Sequence, residues 1–323
     1  MKYRHASVAS QTGPNFAASL VENGYAWWYI DALSDCGAHG LAIIAMLGCV
    51  FSPWYAAARR RGPTDPLAHP ALNIALYGKG GHRWALTERG RGDLERTSSR
   101  LVIGPSSLEW DGTRLKLQVE EITSPWPGRL RGTVTLQPDF TLATPYAIDQ
   151  HGRHLWVPIA PHAKVAVDFS RPALRWQGRA YLDANEGTAP LEADFDGWDW
   201  SRAAAADCSR IFYDTRWVKE TGGRSLSLRI DATGRVESMP APPVRVLPRT
   251  GWGIARSTRC DADTVPKVLD TLESGPFYAR SLVETRAEGR QWTAFHESVS
   301  LRRFAKRWVQ TLLPVKLPRR ARR

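Results

Sequence analysis

The chain has 323 residues, 43% of them hydrophobic and 24% charged, which excludes a disordered polymer and leaves material for one large or two ordinary domains. A net charge of +12 points to an anionic partner, either nucleic acid or an anionic membrane surface. Four scattered cysteines, Cys36, Cys49, Cys208 and Cys260, argue against a zinc site and a secreted disulfide framework, and favour reduced thiols in the cytoplasm. Fourteen tryptophans supply apolar faces with one polar handle each, suited to lining a pocket or sitting at a membrane interface.

Residues 1–15 are polar, lack an apolar signal core and are expected to fray. Gly24–Ile30 reads as an aromatic strand and Leu41–Val50 as a second, buried one, broken near Gly48. The apolar run Leu41–Phe51 covers roughly half a membrane span. Tyr55–Arg59 suggests one helical turn before prolines bar regular structure. Leu72–Tyr77 and His82–Thr87 flank a turn at Gly78–Gly81, and Asp111-Gly112 predicts a tight hairpin with positive φ at both turn positions. Alternation at period two marks further strands at Arg129–Leu136, His162–Phe169, Arg175–Asp183, Ile211–Val218 and Arg224–Asp231. Short strands with frequent turns argue for antiparallel barrels or sandwiches. No glycine-rich loop follows a strand and opens a helix, so a dinucleotide or ATP site is not expected. Phe195-Asp-Gly-Trp-Asp-Trp200 interrupts the alternation and suggests a domain boundary between Glu192 and Ser201. Leu301, Phe304, Ala305, Trp308, Leu312 and Leu313 then recur at helical spacing, with Pro314 expected to end the run. Residues 301–323 hold nine Lys/Arg and no Asp/Glu, so a basic amphipathic tail is expected.

Two pairs carry candidate chemistry: His154/Trp156 and Tyr181/Asp183. Each is spaced i, i+2, which puts both side chains on one face of a strand. On neighbouring strands an imidazole, an indole, a phenol and a carboxylate would converge. The same spacing also suits plain aromatic packing in a barrel core.

Here the sequence resembles the carotenoid 1,2-hydratases (hydroxyneurosporene synthases). The resemblance rests on Glu22-Asn-Gly-Tyr-Ala-Trp-Trp-Tyr-Ile-Asp31-Ala-Leu-Ser-Asp35, on Gly40-Leu-Ala-Ile-Ile-Ala45 and Gly48-Cys-Val-Phe-Ser-Pro-Trp-Tyr55, and on His154-Leu-Trp156 and Tyr181-Leu-Asp183-Ala-Asn-Glu-Gly187. Cys36 departs from the acidic residue that the resemblance leads one to expect. The resemblance implies a mostly β fold of two lipocalin-like antiparallel β-barrels packed side by side, with the C-terminal amphipathic helix. The expected layout is a flexible 1–15, barrels over 16–192 and 193–300, and a basic tail over 301–323. It also implies a cofactor-free, metal-free enzyme that adds water to the terminal double bond of an acyclic carotenoid such as neurosporene or lycopene.

Alkene hydration needs a protonated acid, a dry wall that stabilises a tertiary carbocation, and one placed water. By the resemblance Asp183 is the proton donor, kept neutral by burial among aromatic rings. Trp156 and Tyr181 are expected to stabilise the cation, and His154 to hold the water as base. Asp31 and Glu186 are second-choice carboxylates. Trp27 and Tyr29 are expected to contact the substrate in a deep apolar tunnel. The basic tail fits a membrane surface better than nucleic acid, since it lacks a nucleic-acid-binding fold. These expectations place the chain in the cytoplasm, peripheral on the inner photosynthetic membrane. A carotenoid or lipid carrier on the same barrel, or another acid–base enzyme on a hydrophobic ligand such as a terpene hydratase or isomerase, remain alternatives at this point.

Overall fold

A computed structural model describes residues 7–78, 82–218 and 222–321. The chain forms two compact units: Met1–Ala147, His151–Pro190 and Thr311–Arg323 in the first, Ile148–Gln150 and Leu191–Gln310 in the second. Both are built on curled antiparallel sheets, as expected.

The first unit opens with a small hairpin, β1 (Ala9–Ser10) and β2 (Gly13–Pro14), so residues 7–15 are ordered rather than frayed. Val8 is buried in the core, and its carbonyl accepts a hydrogen bond from Trp28 Nε1 at 3.0 Å. The central strands follow: β3 (Tyr25–Ser34) and β4 (His39–Leu47). Gly48 stops β4 at φ 68°, a left-handed conformation that glycine adopts without Cβ strain. Ser52 caps α1 (Pro53–Arg59), accepting from Trp54 N and Tyr55 N. Then come β5 (Ala71–Gly78) and β6 (Arg83–Arg89), whose connecting turn at 79–81 lies outside the described residues.

Three short strands, β7 (Leu94–Arg96), β8 (Arg100–Ile103) and β9 (Ser106–Trp110), lead to β10 (Leu115–Ile122) and β11 (Arg129–Pro138). The Asp111-Gly112 hairpin is a four-residue loop, not the expected two-residue turn. Asp111 Oδ1 accepts from Thr113 N and Arg114 N, which stabilises the wider loop, and at Gly112 φ is 98°. The short β12 (Tyr146–Ala147) pairs with the long β13 (His154–Arg171), which is followed by β14 (Ala173–Gly187). Sequence reading places separate segments at His154–Trp156 and His162–Phe169. The structure joins them: Pro158 and Pro161 fall in two irregularities between Val157 and Ala163, where a residue without an N–H costs the ladder nothing. Sheet order runs β6-β5-β4-β3-β14-β13-β11-β10-β9-β8-β7, with β14 between β3 and β13.

The second unit starts with α2 (Leu191–Asp194) and β15 (Phe195–Ala204). The Phe195–Trp200 stretch, expected to interrupt the strands, is the first half of β15, with an irregularity between Phe195 and Gly197. Next are β16 (Cys208–Trp217), β17 (Gly223–Asp231), β18 (Val236–Ser238), β19 (Val244–Leu247), β20 (Arg256–Arg259), β21 (Lys267–Ser274), β22 (Tyr278–Ala287) and β23 (Arg290–Ser300). Seven of these strands form the sheet β18-β17-β16-β15-β23-β22-β21, and β19 pairs with β20. Arg210, Arg256 and Arg280 are buried in this unit, and Arg280 pairs with Glu273 at 2.5 Å and Glu297 at 2.6 Å.

The expected single C-terminal helix is two: α3 (Leu301–Phe304) and α4 (Arg307–Lys316). Pro314 lies inside α4 instead of ending it, at the loss of one backbone bond. The buried stripe also differs. Val309, Leu313 and Leu317 point inward, leaving Trp308, Leu312 and Val315 exposed. A final pair, β24 (Arg319–Arg320), runs parallel to β6. Among the described residues no helix is long and apolar enough to cross a membrane.

Candidate active site

The site follows from alternation on three neighbouring strands. On β3, Ala26, Trp28, Ile30 and Ala32 point into the hydrophobic core of the first unit. The intervening Tyr25, Trp27, Tyr29 and Asp31 therefore share the opposite face. Register carries that face across the sheet. Tyr25 lies opposite Gly187, Trp27 opposite Asn185, Tyr29 opposite Asp183, and Asp31 opposite Tyr181. On the other side of β14, His154 pairs with Gly187 and Trp156 with Asn185. All of these residues are buried.

Asp183 is the focus. Trp156 Nε1 donates to its Oδ2 at 2.7 Å and the Tyr181 hydroxyl donates to the same oxygen at 2.9 Å. The carboxyl is 4% exposed, so both bonds act in a low-dielectric setting. It also sits where the β13–β14 ladder is irregular, between the pairs Val157–Ala184 and Ala160–Leu182. Bulges of this kind recur beside active sites because they re-aim side chains. Tyr29 packs edge-on to Tyr181, with ring centroids 6.4 Å apart, and Tyr146 packs on Trp156 at 5.6 Å. Burial pushes the Tyr146 phenol above its ordinary value.

His154 shares the face, further along the strands. Its partner Gly187 lies four residues beyond Asp183, a step of about 13 Å along a strand. Its Nδ1 is 2.8 Å from the Tyr25 hydroxyl, and Tyr25 stacks on Trp27 with centroids 4.9 Å apart. Gly187 makes that bond feasible: a Cβ there would collide with the Tyr25 ring and come within 2.6 Å of His154 Nδ1. Of the four expected groups, the indole and the phenol bond the carboxyl, while the imidazole lies on the same face and meets the Tyr25 hydroxyl.

Glu186 is not on this face. It is three residues from Asp183, and an odd separation on a strand reverses direction. Its Oε2 accepts from Ser7 N at 2.9 Å and from the Ser7 hydroxyl. A small cavity lined by Ser19, Leu20, Val21, Arg153 and Leu155 adjoins it, apart from the Asp183 cluster. Register brings Asp31, Trp27 and Tyr29 onto the site face, with Asp31 beside Tyr181.

Sequence reasoning passed over Tyr25, Tyr146 and Asn185. Asn185 is the most informative of these. It lies two residues beyond Asp183, between Trp27 and Trp156, is 2% exposed, and its Nδ2 has no hydrogen-bond partner among the described residues. Its spacing from Asp183 is the signal that would have found it. Further across the same face β4 contributes Ala42, Ile44 and Met46 next to Asp31, Tyr29 and Trp27, then β5 the buried Asn73 and β6 Leu86. At its far edge lie Glu88 and His69, 2.8 Å apart, with the Arg319 guanidinium bonded to both. Burial, then the guanidinium groups of Arg319 and Arg59, hold His69 down at about 4. Among the described residues no cluster of three or more His, Cys, Asp or Glu is placed to hold a metal ion.

Comparison with known proteins identifies the family. The chain is similar to an acyclic carotenoid 1,2-hydratase of Thiocapsa roseopersicina, with 54% identity over 308 residues covering 95% of this chain and 76% of that protein. It is 45% identical over 313 residues to the acyclic carotenoid 1,2-hydratase of Rubrivivax gelatinosus, at the same coverage. Among solved structures, a protein assigned as AttH from Nitrosomonas europaea shares the fold at a TM-score of 0.57 and 15% identity, covering 85% of this chain and 92% of that one. The family model for carotenoid hydratase CrtC matches residues 43–323, and the chain belongs to that family of hydro-lyases.

Proposed function

We propose that this enzyme adds water to the terminal 1,2 double bond of an acyclic carotenoid, giving a 1-hydroxy carotenoid, with Asp183 as the acid. The observation that carries this reading is a buried carboxyl whose Oδ2 receives both an indole N–H and a phenol O–H. On this reading the carboxyl holds a proton as substrate arrives, with burial favouring the neutral acid and the two donors opposing it. With Oδ2 taken by two donors, the proton is carried on Oδ1. Transfer to the alkene carbon forms a C–H bond and leaves a tertiary cation. The two donors then stabilise the new carboxylate, which lowers the barrier to the transfer. The ring faces of Trp156 and Tyr181 supply cation–π stabilisation of about 2 kcal/mol each when dry. A neutral water adds its lone pair to the cation, and the resulting oxonium returns one proton to the Asp183 carboxylate. Atoms and charge balance, and the acid is restored without a second base.

Asn185 is our choice for holding that water. Its buried amide lies two residues from Asp183 on the site face, and an unpartnered N–H₂ in such a wall costs about 1–3 kcal/mol unless a ligand satisfies it. His154 acts at a distance from the acid, orienting the strand end through Tyr25. The Ala42, Ile44 and Met46 side of the face suits a hydrocarbon chain.

Turnover in ¹⁸O-water should place the label in the product hydroxyl; an unlabelled product ends the hydration reading. Asp183→Asn should lower turnover by about 10³-fold or more while carotenoid binding persists. Binding without conversion by the unaltered enzyme would instead mark a carrier.

A further inference from the structure

We propose that the first unit docks on an anionic lipid bilayer through one patch, made by the turn between β10 and β11, the end of α4 and the start of α1. Its most exposed members are Trp126 at 84% and Val315 at 71%, followed by Leu312 at 45% and Trp54 at 38%. Apolar side chains this exposed are isolated on most surfaces; here hydrogen bonds tie their elements together. The Ser124 hydroxyl donates to the Val315 carbonyl at 3.3 Å, joining the Trp126 turn to α4. Trp54 Nε1 donates to the Leu317 carbonyl at 3.3 Å, joining α1 to the same segment. Lys316 sits 4.1 Å from the centre of the Trp84 ring, and Ser124 N donates to the Trp84 carbonyl at 3.0 Å. The patch is therefore built on the sheet and held in shape.

The charge around it selects the occupant. Arg60 and Arg61 follow α1, Arg129 follows the Trp126 turn, and Arg320 follows α4; all are exposed. Within the first unit, residues 311–323 carry Lys316, Arg319, Arg320, Arg322 and Arg323 and no acidic side chain. An apolar patch with tryptophan at its edge, on segments that also carry exposed arginines, matches the interface of an anionic membrane, where rings enter the headgroup layer and cations meet phosphate. The buried side of α4, Val309 and Leu313, stays with the protein, so docking does not require the helix to leave.

The test is sedimentation of the full-length protein with carotenoid-free vesicles, so its outcome is independent of the hydratase reading. Vesicles of phosphatidylglycerol and phosphatidylcholine should bind the chain, pure phosphatidylcholine much less. The W126S/V315S variant should lose about tenfold in partitioning with an unchanged thermal melt, because both side chains are exposed. Salt near 1 M, where the Debye length falls to about 3 Å, should release the protein. Equal binding to neutral vesicles, unchanged binding by the variant, or a dimer that W126S/V315S abolishes would each overturn the proposal.

Discussion

The central sheet of the first unit buries both of its faces and fills them differently. On β3, Trp28 and Ile30 join the hydrophobic core, while Tyr25, Trp27, Tyr29 and Asp31, one position along, meet Asp183, Asn185 and Gly187. One face supplies stability through apolar area; the other keeps carboxyl, amide and phenol groups out of water, which costs stability unless partners or ligand satisfy them. Sites of this kind need a stable backing, and here it is the reverse side of the same strands.

Substitutions on the two faces should therefore separate folding from turnover. The largest effect is expected for Trp28→Ala, which removes the Trp28–Phe16 edge contact and the bond to Val8. Denaturant melts should show a loss of about 3–5 kcal/mol, with turnover per folded molecule unchanged. Gly187→Ala, on the site face, should do the reverse: the added methyl displaces Tyr25 and His154, and turnover should fall by about 10²-fold. A melt lowered as far as that of Trp28→Ala would blur the distinction.

Acid should strike the polar face. His69 titrates at about 4 in the folded protein against 6.5 ordinarily, so the unfolded chain takes up its proton first. That contribution is complete above pH 6.5 and is lost as pH falls to about 4, on the order of 3 kcal/mol. Stability measured between those limits should decline in the native sequence and decline less in His69→Gln; parallel curves would remove His69 as the cause.

Tyr25→Phe keeps the ring and removes the hydroxyl on His154 Nδ1, so a loss of about tenfold in kcat with little change in KM is expected, along with an altered imidazole NMR signature. The smallest effect should be that of Glu186→Gln. It faces away from Asp183, and turnover should stay within about threefold. A larger loss would mean that the faces are coupled.

Much of this was readable from residues. Period-two spacing placed Tyr181 with Asp183, and His154 with Trp156, before any coordinates. The same rule, applied one residue further, shows why Glu186 points away and why Asn185 belongs with the acid. The chain joining His154 to Phe169 was harder to read, because Pro158 and Pro161 look like breaks until bulges absorb them. The C-terminal stripe misled for a related reason. Helical period was correct, but packing chose Val309 and Leu313 to bury and left Trp308 and Leu312 outside.

The sequence by itself determined the strand alternation, the basic excess of the last segment and the chemical kinds of group available, since these depend on local sterics and composition. Which strands became neighbours was decided by tertiary structure alone. Pairing β14 between β3 and β13 set Trp156 on Asp183, left His154 four residues away, and gave Tyr25 the gap over Gly187 that a side chain would have closed. The β3–β14 pairing joins segments more than a hundred residues apart, and no local pattern encodes it.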